Sequence, residues 1–512
     1  MTRRITRRNL MKGIGAGLAI AATPRIRAAD APAGGNPWSR PNIVLVMTDD
    51  QGYGDLACHG NEIIKTPNLD ALHAQALRFT DFHVSPTCSP TRCSIMTGRH
   101  EFRSGVTHTI SERERMSLDA ATMPQALKAA GYTTGIFGKW HLGEQEPYQP
   151  GNRGFDEAFI HGCGGIGQSY PGSCGDAPGN KYFDPIIRHN GTFVKTTGYC
   201  TDVFFTEAMR WIKQVKGRPF FAYITPNAPH GPLQCPEKYY KPYIDAGLPE
   251  NPARFYGMIA NIDENVGVLL KKLDEWKLLD NTLVIFMTDN GSAMAGGGGG
   301  GKKKANGGAA AVSGGIFNAG MRGKKGTPYE GGTRVPAFFY WKGRTPNGVD
   351  CGALTAHVDL FPTFAELTGA KLPEKVKLDG KSLVPLMKDP KAPWPDRYVF
   401  THVGRWAKGK AADSKYAQCC IRSQRFALVN NTELYDIPAD PGETTNVADK
   451  HPDVVAAMSK AYDQWWSEVL PAMVNENAPV PDVNPFKTLY NQQAASPGGI
   501  PAWPVHPTAE EL

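Results

Sequence analysis

The chain lacks a dense cluster of basic residues, although its 512 residues carry a formal net charge of +7. Nucleic-acid-binding proteins concentrate Lys and Arg in a patch or along one face, so we expect no nucleic-acid partner. No two of the ten cysteines form a Cys-x-x-Cys pair, the spacing common in structural zinc sites, and we therefore expect no structural zinc. Beyond the N-terminal segment, no apolar run reaches the length that a bilayer-spanning helix needs, so we also expect no stable membrane span.

The N-terminal segment has the pattern of an export signal. Arg7-Arg8 precede a short and weakly apolar stretch at 13–22, and small residues suited to cleavage follow at 28–31. This pattern resembles a bacterial twin-arginine signal. We therefore assign residues 1–31 to a signal peptide and exclude them from the fold. The assignment predicts the twin-arginine translocase as a partner and a periplasmic or secreted location.

The sequence leaves the pairing of the cysteines open. Cysteines of exported proteins can form disulfides, and Cys163 with Cys174, across a Gly-rich segment, is one example. Spacing alone does not determine which cysteines pair.

Four short apolar runs punctuate the sequence, and polar residues follow each of them at once. Continuous apolar runs of this length are typical of strands buried on both faces of a parallel sheet that helices cover. In such open α/β sheets, ligands bind beyond the carboxyl ends of the strands. We therefore expect the four polar segments to meet at one edge. The runs are Ile43–Met47, Thr133–Phe137, Phe220–Ile224 and Leu283–Met287.

Carboxylate and amide side chains follow two of these runs. Asp49 and Asp50 come after the first run, and Asp289 and Asn290 come after the fourth. These side chains offer only oxygen ligands, which favour calcium or magnesium over zinc. Three carboxylates at one edge would also repel one another without a cation between them. The sequence therefore predicts a site for one of these two cations.

Cys88 lies at the start of a predicted helix. Pro90 suits the first turn, Ser89 is a candidate N-cap, and Gly98 can end the helix. Unpaired N–H groups at a helix N-terminus favour an anion. A cysteine placed just before the helix therefore fits a reactive nucleophile, and Arg92, one turn further on, can point back toward it.

Basic side chains follow the other two runs. Lys139 and His141 come after the second run, and His230 comes after the third. Together with Arg92 they would surround Cys88 if the four segments meet. This set of cations predicts an anionic substrate.

The segment Cys88–Arg92, with Thr97–Arg99 in register, resembles the motif of the type I sulfatases of the alkaline phosphatase superfamily. The segments after the four runs, and a fifth, Lys325–Gly332, resemble further motifs of that family in the same order. The resemblance implies hydrolysis of a sulfate ester, an aryl sulfate or a sulfated carbohydrate. It implies that a formylglycine-generating enzyme oxidises Cys88 to formylglycine (3-oxoalanine), an aldehyde that is hydrated at rest. It also implies one Ca²⁺, with Mg²⁺ as the alternative, held by Asp49, Asp50, Cys88, Asp289 and Asn290.

The resemblance further implies roles for the basic residues. An oxygen of the hydrated aldehyde attacks sulfur, while Lys139 binds sulfate oxygens and Arg92 helps to hold the hydrate. His230 and Lys325 donate a proton to the departing alcohol. His141 takes a proton from the second hydroxyl, so that sulfate is released. The implied catalytic set is Cys88, Arg92, Lys139, His141, His230 and Lys325.

The resemblance implies an alkaline phosphatase-like α/β fold, with a large mixed, mostly parallel sheet sandwiched by helices. A smaller C-terminal domain is expected to combine an antiparallel sheet with a terminal helix, because strand patterns precede helical spacing at 454–469. The expected boundaries are 38–376 for the catalytic domain, 295–320 for a Gly- and Lys-rich insertion within it, 377–478 for the C-terminal subdomain and 479–512 for a Pro-rich tail.

Three alternatives stay open at this point. The same modified cysteine could hydrolyse a phosphonate monoester or a phosphodiester, since both substrates are tetrahedral anions. A two-zinc phosphatase would need more His and Asp ligands and a Ser or Thr nucleophile, which Cys88 argues against. The chain could also be a decayed sulfatase that binds a sulfated glycan without cleaving it, although every motif residue is retained.

Overall fold

The four apolar runs are neighbouring parallel strands of one sheet, as their composition predicts. The computed structural model describes residues 38–162, 164–173, 175–295, 316–374 and 376–512. The assigned signal peptide, the example pair of Cys163 and Cys174, and most of the 295–320 insertion lie outside the described residues.

The strands of the described residues, in chain order, are β1 Asn42–Thr48, β2 Leu77–Phe79, β3 Phe82–His83, β4 Thr133–Lys139, β5 Glu157–His161, β6 Ile186–His189, β7 Thr192–Lys195, β8 Phe220–Thr225, β9 Thr282–Thr288, β10 Ala337–Tyr340, β11 Val349–Cys351, β12 Thr355–Ala356, β13 Val399–His402, β14 Cys419–Arg422, β15 Phe426–Val429 and β16 Glu433–Asp436. The α-helices are α1 Pro67–Gln75, α2 Cys88–Thr97, α3 Met123–Ala129, α4 Cys200–Val215, α5 Glu237–Asp245, α6 Glu250–Glu275, α7 Glu330–Thr333, α8 Leu360–Thr368, α9 Val384–Lys388, α10 Pro452–Val469 and α11 Pro485–Ala494.

The main sheet has ten strands in the order β11-β2-β10-β9-β1-β8-β4-β5-β6-β7. Its centre, from β9 to β5, is parallel, whereas β10 and β6 run antiparallel to their neighbours. The register pairs Thr48 with Thr288, and Gly138 with Thr225. The carboxyl ends of β9, β1, β8 and β4 therefore lie at one edge of the sheet.

Strand β1 shows why these runs are apolar without a break. Ile43, Leu45 and Met47 belong to the core on one face of the sheet, together with residues of α3 and α8. Val44 and Val46 belong to the core on the other face, together with residues of α4 and α6. Helices cover both faces, so every position of the strand is buried.

Helix α2 is buried along its whole length. It ends at Gly98, whose φ of 64° is left-handed and whose N–H donates to the Ser94 carbonyl at 2.8 Å, as the sequence predicts. A side chain at this position would also meet Phe361, because a Cβ built there lies 3.1 Å from the Phe361 Cβ.

The C-terminal part of the chain forms a separate four-stranded antiparallel sheet in the order β13-β14-β15-β16. Ile421 and Leu428 on this sheet share a core with Tyr462 and Trp465 of α10. The expected antiparallel sheet and terminal helix are thus confirmed.

The Pro-rich tail contains α11, a helix that the sequence analysis missed. Phe486 at its start is buried and packs edge-on against Phe193, with the ring centroids 5.0 Å apart. Further along, the Trp503 backbone N–H donates to the Lys195 carbonyl at 2.7 Å. Across the described ranges, no helix combines the length and the apolar character needed to cross a membrane.

Candidate active site

Helix α2 points its N-terminus at the edge where the parallel strands end. Cys88 is the first helical residue and is 2% exposed. Thr87, rather than Ser89, occupies the N-cap position. The Ser89 hydroxyl instead donates to the carbonyls of Glu114, at 3.2 Å, and His141, at 2.9 Å. The expected cap is wrong because tertiary partners satisfy this buried hydroxyl.

Acidic side chains from two strand ends meet beside Cys88. One ligand atom each from Asp49, Cys88 and Asp289 lies within 4.8 Å of the other two. The Asp50 backbone N–H donates to Asp289 Oδ1 at 3.1 Å, and Asn290 Nδ2 donates to Asp50 Oδ1 at 3.1 Å. Asp50 has a left-handed φ of 71°, a conformation that is uncommon outside glycine and frequent at functional sites. The structure thus brings all five predicted metal-site residues together.

These residues fit a calcium or magnesium ion. Within the described part of the chain, Asp49 Oδ1 and Asn290 Oδ1 are buried and have no hydrogen-bond partner. Leaving a buried acceptor unsatisfied is costly, and a hard cation accepts such oxygens as ligands. Asp49, Asp50, Asp289 and Asn290 could therefore hold the ion together with a modified Cys88.

Arg92 connects three of the strand ends. Its Nη1 donates to the Lys139 carbonyl at 2.8 Å and to Thr225 Oγ1 at 2.6 Å, and its Nη2 donates to Asp289 Oδ2 at 3.0 Å. The guanidinium is 1% exposed. Because a guanidinium is planar and always charged, these contacts fix its orientation at the bottom of the site.

Lys139, the last residue of β4, forms an ion pair with Asp49 in which both side chains are fully buried. Burial alone would raise the pKa of Asp49, but Lys139, His230 and Arg92 together bring it well below its usual range. Burial and the negative charge of Asp49 raise the pKa of Asp289 well above its usual range. Two carboxylates this close do not both carry a charge easily in the absence of a cation.

His230 and Lys325 occupy the open side of the site. Lys325 Nζ lies 2.6 Å from Asp50 Oδ1, and His230 Nε2 lies 3.7 Å from Asp50 Oδ2. The side chain of Lys325 is 17% exposed and that of His230 is 18% exposed, whereas those of Lys139 and Arg92 are at most 1% exposed. His230 Nδ1 donates to the Gly231 carbonyl at 2.8 Å, so Nε2 is the nitrogen that faces the site.

His141 lies deeper than His230 and has a left-handed φ of 61°. Its Nε2 donates to the Thr109 carbonyl at 2.9 Å, and its ring is 1% exposed. The carbonyl is only an acceptor, so Nε2 carries a proton.

Sequence reasoning missed two residues that orient this site, Thr225 and Thr109. Thr225 ends β8 at the same edge as the motif residues, so its place at the end of an apolar run could have indicated it. Thr109 lies in a segment without a motif, and no local pattern indicates its carbonyl as the partner of His141.

Two family models and a relative show the family of this chain. The family model described as Sulfatase matches residues 41–370, and the one described as N-sulphoglucosamine sulphohydrolase, C-terminal, matches residues 323–466. Arylsulfatase A of Homo sapiens is 31% identical over 497 residues, covering 88% of this chain and 90% of the relative. The chain belongs to the sulfatase family.

A second arylsulfatase and two solved structures are also similar to this sulfatase. Arylsulfatase J of Mus musculus is 27% identical, covering 86% of this chain and 78% of the relative. Among solved structures, Ps i-CgsB in complex with k-i-k-neocarrahexaose has a TM-score of 0.73 at 28% identity, covering 86% of this chain and 95% of the other. The phosphonate monoester hydrolase of Agrobacterium radiobacter shares the fold, with a TM-score of 0.56 at 21% identity and coverage of 85% and 96%. The sulfatase is therefore a sulfuric ester hydrolase with an alkaline phosphatase-like fold.

Proposed function

We propose that this sulfatase hydrolyses the sulfate ester of a sulfated carbohydrate by means of a formylglycine made from Cys88. The observation that carries the proposal is the position of Cys88. It begins a buried helix, with Asp49 and Asp289 in ligand distance and with two buried cations, Arg92 and Lys139, at the same edge. A helix N-terminus with adjacent cations suits an anion.

The proposal adds two groups to the site, a metal ion and the aldehyde made from Cys88. Asp49, Asp50, Asp289, Asn290 and the modified Cys88 would hold Ca²⁺, with Mg²⁺ as the alternative. When present, the cation neutralises charge next to the hydrated aldehyde, which supplies a nucleophilic oxygen and a second hydroxyl from which sulfate can be released.

At the bottom of the site, Lys139 and Arg92 act on the sulfate. Lys139 has three N–H donors, of which one serves Asp49, so the others can donate to sulfate oxygens. Arg92 is held by Thr225 and Asp289 and keeps its charge next to the reacting group. Fixed cations in a site that excludes water stabilise the charge of the transferring group.

At the open side, His230 and Lys325 handle the alcohol. The alcohol part of the substrate has to extend toward solvent, because the bottom of the site is closed. The partly exposed side chains of His230 and Lys325 are therefore the groups placed to donate a proton to the leaving oxygen. His141, buried on the inner side, is left to accept a proton when sulfate is released.

A carbohydrate substrate is supported by the similarity to Ps i-CgsB, whose structure contains k-i-k-neocarrahexaose. The N-terminal twin-arginine pattern supports export to the periplasm or beyond, where the enzyme would have access to extracellular sulfated polysaccharides. The twin-arginine route carries folded proteins, so the formylglycine-generating enzyme would modify Cys88 before export.

The test is a mass measurement on the peptide that carries Cys88, from protein co-expressed with a formylglycine-generating enzyme. We expect the mass of the aldehyde form of this peptide. We also expect the wild type to release sulfate from sulfated oligosaccharides and the Cys88→Ala variant to release none. An unmodified thiol in an active protein would overturn the formylglycine mechanism. Turnover of aryl sulfates without turnover of any sulfated oligosaccharide would overturn the substrate class.

The same protein preparation can distinguish sulfate ester hydrolysis from the nearest alternative reaction, the hydrolysis of a phosphonate monoester. Matched sulfate monoesters and phosphonate monoesters of one alcohol are assayed in parallel. We expect a higher kcat/KM for the sulfate ester. A preference for the phosphonate would assign the site to the alternative reaction.

A further inference from the structure

A second cluster of metal-ligating side chains lies outside the active site. It consists of Cys58, His59 and His73, which we call the Cys-His-His cluster. One ligand atom from each residue lies within 4.8 Å of the other two. Cys58 and His59 lie in a single helical turn at 57–59, and His73 lies near the end of α1. None of the three takes part in the proposed reaction.

One nitrogen of the His59 imidazole is held by a backbone carbonyl. Its Nδ1 lies 2.7 Å from the Tyr53 carbonyl, which is only an acceptor, so Nδ1 carries the proton and Nε2 has the free electron pair. Metal-binding histidines commonly donate their other N–H to a backbone carbonyl in this way. The ring also stacks on Tyr53, with centroids 3.8 Å apart and an interplanar angle of 14°.

The rings of His73 and His59 contact each other, and both pack against the ring of Phe338. The rings of His59 and His73 are edge-on, with centroids 5.6 Å apart, and Phe338 lies 5.6 Å from the first and 5.1 Å from the second. The Cys58 backbone N–H donates to Asp70 Oδ1 at 3.0 Å. Backbone contacts therefore hold Cys58 and His59, and the packing of its ring against Phe338 holds His73.

A cavity of about 340 Å³ opens beside the Cys-His-His cluster. Its wall includes one cation, Arg78, and one carboxylate, Asp350, which form an ion pair at 2.5 Å. Arg78 also donates to the Gly348 carbonyl at 2.9 Å. The ion pair with Asp350 offsets part of the positive charge of Arg78 at this wall, and the cavity has room for a water molecule.

We propose that Cys58, His59 and His73 bind one Zn²⁺, whose fourth position faces this cavity and takes a water molecule. Thiolate and imidazole ligands suit zinc, whereas calcium prefers oxygen. Zinc binds the thiolate form of cysteine, so metal binding would displace the Cys58 thiol proton to solvent, as at other zinc–cysteine sites. The Cys-x-x-Cys criterion could not detect this site, because only one cysteine contributes.

The test uses the mature protein with Ca²⁺ in excess, so that the catalytic site is not available to zinc. Zn²⁺ affinity is measured by competition with a chromophoric chelator, and Co²⁺ serves as a spectroscopic probe. We expect one Zn²⁺ per chain and a thiolate-to-cobalt charge-transfer band. Cys58→Ser and His73→Gln should each weaken Zn²⁺ binding by roughly 100-fold or more, since even changes around the ligands cost 10- to 100-fold.

The controls use the same residue types elsewhere in the chain. Cys235→Ser and His506→Gln should keep the affinity of the wild type. Cys88→Ala should keep the charge-transfer band, and Cys58→Ser should lose it. His73 is only half-buried, so His73→Gln provides a reading even if Cys58→Ser fails to fold. Equal Zn²⁺ retention by His73→Gln and His506→Gln, or a band that depends on Cys88, would overturn the proposal.

Discussion

Lys139 and Asp49 form an ion pair whose side chains are both fully buried, at the bottom of the candidate active site. Arg92 lies 3.9 Å from the same Asp49 oxygen. In the proposed mechanism the pair would serve two purposes, since it would keep Asp49 charged as a metal ligand and hold a cation where sulfate would bind.

Replacing Lys139 by Met should remove turnover and destabilise the protein by about 3–5 kcal/mol, because it leaves a buried carboxylate without its main partner. Urea unfolding at low calcium measures the loss of stability. Lys128→Met is the matched control, since it breaks a partly exposed ion pair with Asp156 and should cost only about 0–1 kcal/mol. Equal costs for the two variants would contradict the assigned role.

Thr225→Val should lower kcat/KM by roughly 10-fold, because the buried Arg92 Nη1 loses an acceptor at 2.6 Å and an unmade hydrogen bond of a charged group costs about 1–3 kcal/mol. The fold should remain intact, since the two side chains have nearly the same shape. Thr355→Val, a buried change on β12 with a hydroxyl contact of 3.4 Å to a backbone carbonyl outside the proposed catalytic set, should leave kcat/KM unchanged.

Removal of calcium should lower the thermal stability of the wild type. Calcium at 100 times its Kd would contribute about 3 kcal/mol, because it satisfies the buried Asp49 and Asn290 oxygens. Asn290→Leu should remove most of the dependence of Tm on calcium concentration. Asp280→Asn, an exposed acidic position, should keep that dependence, and a calcium-independent wild type would exclude the proposed ion.

His230→Ala should reduce turnover more for an ester with a poor leaving group than for one with a good leaving group. General acids contribute roughly 10²- to 10⁴-fold where the leaving oxygen needs a proton, and His230 lies on the open side of the site, where we propose that the alcohol departs. Rates on a series of aryl and alkyl sulfates measure this difference. An equal loss along the series would assign His230 to binding rather than proton donation.

Glu443 should make stability fall as the pH rises. Burial and the neighbouring Glu330 raise its pKa to about 8 from a usual 4.5, so the folded state holds a proton that the unfolded state releases between these values. Below pH 4.5 both states are protonated and no penalty applies. Above pH 8 both are ionised, and the buried charge costs on the order of 5 kcal/mol.

Glu443→Gln tests this prediction, because the amide stays neutral. The free energy of unfolding of the variant should depend less steeply on pH between about 4.5 and 8 than that of the wild type. Glu366→Gln, at an exposed position on α8, should keep the wild-type slope. A Glu443→Gln slope equal to that of the wild type would contradict the assigned pKa.

Much of the candidate site could be predicted because its residues directly follow strong local patterns. Asp49 and Asp289 come right after apolar runs, and parallel strands bring their carboxyl ends to one edge. The helix of Cys88 was likewise predicted, but the cap was assigned to Ser89. That error shows where local patterns stop, because the Ser89 hydroxyl is bonded to residues 25 and 52 positions away. The domain boundaries stay predictions.

The sequence by itself determined the order of the motifs, the buried parallel strands and the family, because each depends on residues close together in the chain. Only the tertiary structure decided which oxygens stay unsatisfied, that His230 and Lys325 lie on the open side, and that Cys58 and His73 converge on His59. Burial and hydrogen-bond satisfaction depend on segments far apart in the chain. They are set when those segments pack together, and a local pattern does not encode them.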